Sequence, residues 1–414
     1  MNPTIVIIGG GFAGVRLARD LKGQVDVLLV DQNNYHTFQP LLYQVATSAL
    51  ESDSIVYPFR EIFHNRPNVR FRLAQVLQIV PEANRITTSI GEIDYDYLVL
   101  AAGSKTNYFG DKDFEAHTHP MKSVPEAGQL RNIILENMER ALGMDWYKRS
   151  AVMNIVVVGG GPTGVEMAGA LAELKNKILP KDYPELDFQL MQIHVVDMAD
   201  RLLNTMAVES SNYAARFLRK NGIHLSLAAR VVSYDGQSLM LSNGQQILTQ
   251  TVIWAAGVTA TVIPGINPQS VLPSGRLKVN AFNQLEGYEN IFALGDMAGM
   301  ITDQTPKGHP MLAPIAIQQA KHLAQNIQRL LKKKPLVPFV YKDPGVMATI
   351  GRNHAVAELK FIRLHGTLAW LAWLFVHLMS LVGFRNRAIV FFNWMWSYVT
   401  YNRSLRLILK PLSK

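Results

Sequence analysis

Residues 155–171 read IVVVGGGPTGVEMAGAL, and residues 5–21 read IVIIGGGFAGVRLARDL. Each stretch is a β-branched apolar run, then G-x-G-x-x-G, then apolar residues at helical spacing. That order of strand, glycine turn and helix is the context a dinucleotide fingerprint requires. The first set is Gly9, Gly11 and Gly14; the second is Gly159, Gly161 and Gly164. The first glycine of each set makes the tight turn. The second leaves the backbone bare for a pyrophosphate, and the third lets helix and strand pack closely. The helix start then offers unpaired N–H groups and a positive dipole end to the phosphates.

The duplication runs beyond the fingerprints. The strand VDVLLVD ends in Asp31, about 20 residues after the first glycines. The strand IHVVD ends in Asp197, farther on because NKILPKDYPELDFQLMQ intervenes. A carboxylate at this strand end accepts ribose hydroxyls and repels a 2′-phosphate, so Asp197 favours NADH over NADPH. YDYLVLAAGS (95–104) follows the first module and TVIWAAGVTA (251–260) the second. Both are buried-strand runs closing on Ala-Ala-Gly, where small residues let the chain turn beside a nucleotide. The expectation is an α/β chain of two Rossmann-like modules, one nucleotide held permanently and one exchanging.

Composition narrows the chemistry. The 414 residues allow two large domains and a small third, and 48% of them are hydrophobic. There is no cysteine. That excludes disulfides, Cys-ligated metal centres and thiol–disulfide catalysis. No histidine pair has metal-ligand spacing, so no metal is expected. Pro3 leads straight into a strand pattern with no basic n-region, which predicts a catalytic body that stays on the cytoplasmic side.

The net charge of +9 sits mostly in the tail. After Glu358 there is no acid, while Lys360, Arg363, Arg385, Arg387, Arg403, Arg406, Lys410 and Lys414 follow. The run Leu364–Phe384, LHGTLAWLAWLFVHLMSLVGF, has no Asp, Glu, Lys or Arg, and Trp370, Trp373, Trp394 and Trp396 fall in this region. Its length alone would allow a span. The polar interruptions His365, His377 and Ser380, the short following run 388–400 and the flanking cations suit two amphipathic helices lying at an anionic bilayer surface. A core hairpin or a second copy of the chain, as a homodimer, is the other cover for this face.

Two such modules followed by NIFALGDMAG (290–299) resemble the flavoprotein pyridine nucleotide reductases. More narrowly, YHTFQPLLYQVA (35–46), LAPIAIQQAKHLAQNI (312–327) and FRNRAIVFFNWMWSYV (384–399) resemble the type II NADH:quinone oxidoreductases. That resemblance covers essentially the whole chain. It departs at Pro314, where the family usually has Gln. It implies FAD in the first module, contacted by Gly9, Gly11, Phe12, Ala13, Gly14, Asp31, Gln32, Ala102, Gly103, Asp296 and Ala316. It implies NADH in the second, contacted by Gly159, Gly161, Pro162, Thr163, Gly164, Glu166, Asp197, Ala256 and Gly257. Tyr43, Gln318 and Gln319 would meet a membrane quinone of ubiquinone, menaquinone or plastoquinone type. Glu166, Gln318 and Gln319 are then the candidate catalytic residues, with His36 and His309 as weaker ones. Read as residues alone, Glu166 is equally a carboxylate favoured by a positive helix end, and the two glutamines are a polar helix face.

The predicted layout is an FAD module over 1–120 and 278–335, an inserted NADH module over 121–277, and a membrane-anchoring segment over 336–414. LKKKPLVPF (331–339) reads as a linker, and the last segment as a strand or two before the membrane helices. The expected activity is a peripheral, non-proton-pumping NADH:quinone oxidoreductase on the cytoplasmic face of the inner membrane. Two rivals remain: an NAD(P)H-dependent reductase of a biosynthetic naphthoquinone, and a redox-sensing flavoprotein resembling apoptosis-inducing factor. Nucleic-acid binding belongs only to the last, and the uncharged, Trp-bearing tail favours lipid over it.

Overall fold

The computed structural model describes residues 2–23, 25–303, 305–400 and 406–409. Arg403, Lys410 and Lys414 of the basic tail lie outside the described residues. The chain forms two compact units. One comprises 1–37, 56–105 and 258–343; the other comprises 38–55, 106–257 and 344–414.

The first unit is built on a parallel five-stranded sheet. Its order is Ile291–Ala293, Tyr97–Leu100, Thr4–Ile8, Asp26–Asp31, Val69–Leu73. The central strands are almost wholly apolar because both faces are covered, as parallel sheets require. Ile5, Ile7, Leu29, Val99 and Phe292 pack with the helices Phe12–Asp20 and Ala313–Leu331 through Leu17, Leu323 and Ile327. Their neighbours Val6, Ile8, Val30, Leu98 and Ala293 form a second core on the opposite face with Met297 and Met300.

The second unit repeats the plan. His119–Pro120, Thr251–Trp254, Ile155–Val158, Ile193–Val196 and Ile223–Ser226 form a parallel sheet in that order. In both sheets the glycine-bearing strand is central, between the strand ending in Ala-Ala-Gly and the strand leading to the aspartate. Val156, Val158, Val196, Val252 and Trp254 pack against an antiparallel meander through Val231, Leu239, Leu241 and Ile247.

The C-terminal segment supplies three antiparallel strands, Val346–Gly351, His354–Glu358 and Arg363–Gly366, where the sequence suggested one or two. The third consumes the start of the uncharged run, so the helix there is only Thr367–Ser380. Its 14 residues reach about 21 Å at 1.5 Å per residue, short of a hydrocarbon core of about 30 Å. The second helix is Phe384–Thr400. Among the described residues no helix is long and apolar enough to cross a membrane.

Candidate functional site

Each glycine turn shows why its sequence is fixed. Gly9 and Gly159 sit at φ +100° and +116°, and a Cβ on either would lie 2.4 Å from the carbonyl oxygen of Ala101 or Ala255. A Cβ on Gly14 or Gly164 would lie 1.8 Å from the Gly9 or Gly159 oxygen. Nothing lies within 4 Å of the Cβ position at Gly11 or Gly161. So the first and third glycines are dictated by backbone contacts inside the protein. The second borders open space at a helix start, with no side-chain cap and no acid in the first turn. That is the cradle a pyrophosphate needs.

The two aspartates behave alike. Asp31 Oδ2 accepts the Gly10 amide at 2.6 Å and its Oδ1 the Asn33 amide at 2.7 Å. Asp197 Oδ2 accepts the Gly160 amide, and its Oδ1 the Ala199 amide at 2.6 Å. Each carboxylate therefore fixes its own glycine loop, and with two oxygens it keeps lone pairs for ribose hydroxyls. Burial pushes Asp31 up, and the Gly10 and Asn33 amides oppose the rise. His36 completes this loop: its buried ring meets the Gly10 oxygen through Nδ1 at 3.0 Å and stands edge-on to Phe12. Gln32 is exposed just past the strand end, and Thr163 is exposed in the first turn of the second fingerprint helix.

In the first unit the structure gathers Ala102, Gly103, Asp296, Ala316 and Gln319 around one turn. Asp296 lies in the single 3₁₀ turn Gly295–Met297 and accepts the Ser104 hydroxyl at 2.5 Å. It caps no helix. The Ala102 amide points at Met297 Sδ, 3.1 Å away. Gly295, at φ +61°, packs on Ala316, where a Cβ would come within 3.0 Å of the alanine methyl. Its amide donates to Gln319 Oε1 at 2.8 Å.

The adjacent glutamines do different things. Gln319 is fully buried, and its Nε2 has no hydrogen-bond partner. Gln318 clamps the backbone of Lys342, donating Nε2–H to its oxygen at 2.8 Å and accepting its amide at 3.0 Å. An orphaned buried donor beside the Asp296 turn, with the open Gly11 cradle, fits a polar group such as FAD in this unit. Pro314 falls at the second position of the Ala313–Leu331 helix, where its missing N–H costs nothing. His309 is buried too; its carbonyl accepts from Arg276 at 2.7 Å, so it holds the loop before this helix.

In the second unit Glu166 is buried on the helix Pro162–Glu173. Gly169, one turn later, lets the strand Val346–Gly351 lie directly on that helix; a Cβ there would fall 1.9 Å from the Ile350 oxygen. This contact brings the Thr349 amide to Glu166 Oε1 at 3.4 Å. Burial pushes the Glu166 carboxyl up to about 8, with the Thr349 amide and the nearby Trp373 indole opposing. The indole N–H favours the carboxylate but completes no hydrogen bond of normal geometry. At neutral pH Glu166 is therefore mostly a protonated acid.

Tyr43 lies on the short helix Leu42–Ala46, which packs on the Glu166 helix. Gln44 Nε2 donates to the Tyr43 hydroxyl at 2.9 Å, and Gln44 Oε1 accepts the Trp394 indole at 2.8 Å. His377 stacks on Trp373, centroids 4.0 Å apart, and burial holds it near pKa 4, so it is neutral. From the sequence, Trp373 and Trp394 belong at the bilayer surface. Instead Trp373 is buried beside Glu166 and Trp394 is tied to Gln44; of the four tail tryptophans only Trp396 is largely exposed. Sequence reasoning missed Gln44 and Thr349 and gave Trp373 and Trp394 a different place. Gln44 adjoins Tyr43, but nothing local marks Thr349 or brings either tryptophan to this site.

Residues 3–320 match the pyridine nucleotide-disulphide oxidoreductase family, and residues 344–401 match the NDH2 C-terminal domain. The chain is 34% identical to a type II NADH:quinone oxidoreductase, Ndh, of Mycobacterium tuberculosis, covering 96% of this chain and 89% of that one. It is 28% identical to an internal alternative NAD(P)H-ubiquinone oxidoreductase of Arabidopsis thaliana mitochondria, over 96% and 84% of the two chains. Its fold superposes on that of Plasmodium falciparum NDH2, solved with NADH, at a TM-score of 0.91 and 20% identity over 99% and 100% of the chains. With both cradles formed and this match over nearly its full length, the chain belongs to the type II NADH:quinone oxidoreductases, FAD-dependent NADH dehydrogenases of the pyridine nucleotide-disulphide oxidoreductase family.

Proposed function

We propose that the first unit holds FAD, the second binds NADH, and the C-terminal helices keep the enzyme on an anionic bilayer where its quinone is dissolved. FAD, when bound, supplies the two-electron relay between a hydride donor and a quinone. The protein's part is positioning. The Gly11 and Gly161 cradles seat pyrophosphates, Asp31 and Asp197 face riboses, and Asp296 with the Ala313–Leu331 helix start faces the flavin end. A positive helix end there favours negative charge.

The observation that carries the catalytic reading is the burial of the Glu166 carboxyl beside Thr349 and Trp373, with desolvation pushing it up to about 8. Quinone reduction consumes protons as well as electrons. A carboxyl with a pKa near the working pH can hold a proton and pass it on. Gln318 and Gln319 of the first unit are proposed as quinone contacts, and so, separately, is Tyr43 of the second. Gln319 would act chiefly by holding the Gly295 amide and aiming its remaining N–H groups.

For the tail, Phe375, Phe384, Phe392, Trp396 and Val399 are exposed on two helices that carry no acid. Arg385 is exposed among them. Aromatic insertion of about 2 kcal/mol per ring and about 1 kcal/mol per basic residue would hold the protein without a span. The proposed location is the cytoplasmic face, with no proton pumping, and a second copy of the chain as the other partner.

The test separates half-reactions by stopped flow on detergent-purified, FAD-loaded enzyme. Gln318→Ala and Glu166→Gln should slow flavin reoxidation by a water-soluble quinone more than flavin reduction by NADH. Both half-reactions unchanged from wild type, or slowed by the same factor, in both variants would overturn the assignment.

A further inference from the structure

We propose a second ligand site in the first unit, a groove at the C-terminal end of the Ala313–Leu331 helix that binds a small phosphate-bearing anion. Between Gln304 and Lys342 the chain carries seven cations and no acid. The fold concentrates three of them. After the helix the backbone doubles back: the Arg329 oxygen accepts the Lys332 and Lys334 amides at 3.1 and 2.8 Å, and the Leu330 oxygen accepts the Lys333 amide at 2.9 Å. These bonds engage two of the four carbonyls at the helix's negative end, which blunts its repulsion of an anion. Asn326 staples the returning segment with two bonds to Val337, 2.9 and 3.0 Å. A groove of about 350 Å³ results, with Arg329, Lys332, Lys334, His322 and Gln325 in its wall and no carboxylate. That volume is at the lower end of ordinary small-molecule sites.

Arg329 is the centre of the argument. Its Nε donates to the Pro335 oxygen at 2.6 Å, which orients the guanidinium. Among the described residues no hydrogen bond engages its Nη groups, and neither Arg329, Lys332 nor Lys334 forms an ion pair. A planar fork held in place and flanked by two ammonium groups matches a phosphate, which accepts bidentate charge-assisted bonds. Gln319 and Arg329 are ten positions apart, about 15 Å along the axis. The groove is therefore separate from the Asp296 turn. The shared chemistry is a phosphate monoester or inorganic phosphate, either free or as a lipid headgroup.

The test uses detergent-solubilised, FAD-loaded enzyme saturated with NAD⁺, so that the nucleotide cradle does not compete. Inorganic phosphate and glycerol 3-phosphate are titrated calorimetrically into wild type, Arg329→Gln and the double variant Lys332→Gln/Lys334→Gln. The double variant keeps the Arg329–Pro335 bond, and bound-flavin absorbance and circular dichroism check the fold of both. In parallel, binding to phosphatidylcholine vesicles with and without phosphatidic acid is compared for the same three proteins. Saturable, salt-weakened binding of the soluble anions, reduced about tenfold or more in each variant, supports a free phosphate ligand. Discrimination seen only on phosphatidic acid vesicles supports a headgroup. Indistinguishable curves for wild type and both variants in both arms overturn the site.

Discussion

Replacing Glu166 by Gln tests the buried acid on which the proposed proton transfer rests. In the folded protein its carboxyl is pushed from 4.5 up to about 8. The folded state therefore keeps a proton that the unfolded chain gives up. Its stabilising contribution is complete below about pH 4.5 and is lost as pH rises through about 8. A tenfold change in proton affinity is worth about 1.4 kcal/mol, so the loss is about 5 kcal/mol across the window and about 3 kcal/mol by pH 7. Gln keeps an oxygen for the Thr349 amide but adds a buried NH₂ without a partner, a pH-independent cost of about 1–3 kcal/mol. The variant should thus melt below wild type at pH 5 and above it at pH 8.5, with the curves crossing between about pH 5 and 7. For a unit of this size 1 kcal/mol moves Tm by roughly 2 °C, so the difference should swing by roughly 10 °C. Thermal melts of both proteins at five or six pH values measure it. An infrared carboxyl band present in wild type, absent in the variant and titrating near pH 8 assigns the group. A Tm difference that stays constant from pH 5 to 8.5, or no such band, refutes the reasoning.

Other perturbations separate the remaining parts. Gly11→Val should fold yet retain little FAD after gel filtration, because its side chain enters the open cradle, whereas Gly14→Ala should lower Tm sharply through its clash with the Gly9 oxygen. Gly161→Val should keep its flavin while the KM for NADH rises by about tenfold or more, read from steady-state kinetics at fixed quinone. Gln319→Ala should loosen FAD binding several-fold, by fluorescence of released flavin, since it frees the Gly295 amide; Gln318→Ala should not. Phe392→Ser with Trp396→Ser should weaken binding to anionic vesicles by two orders of magnitude or more, at about 2 kcal/mol per exposed ring, in a sedimentation assay.

The doubled module was legible in the sequence because its determinants are local. The steric demands on Gly9, Gly14, Gly159 and Gly164 arise within one strand–turn–helix unit and its neighbouring strand, so spacing alone reveals them. The unbroken apolar strands announced a parallel sheet covered on both faces for the same reason. Absence of cysteine removed whole classes of chemistry without any fold.

What the chain order could not convey was decided by contacts across long separations. Read along the chain, Glu166 is an ordinary acid shortly after a helix start. It becomes a protonated one only because Thr349 and Trp373, some 180 and 210 positions away, close over it, and desolvation depends on everything packed around a group. Gln318 and Gln319 look like a pair in one dimension. A helix turns about 100° per residue, so one reaches the Lys342 backbone and the other the Gly295 turn. The tail tryptophans looked equivalent as well, until strand pairing at Arg363–Gly366 shortened the helix and burial removed Trp373 from the surface. Local geometry wrote the nucleotide cradles into the sequence, and only tertiary packing set the protonation and partners of the groups proposed to act beside them.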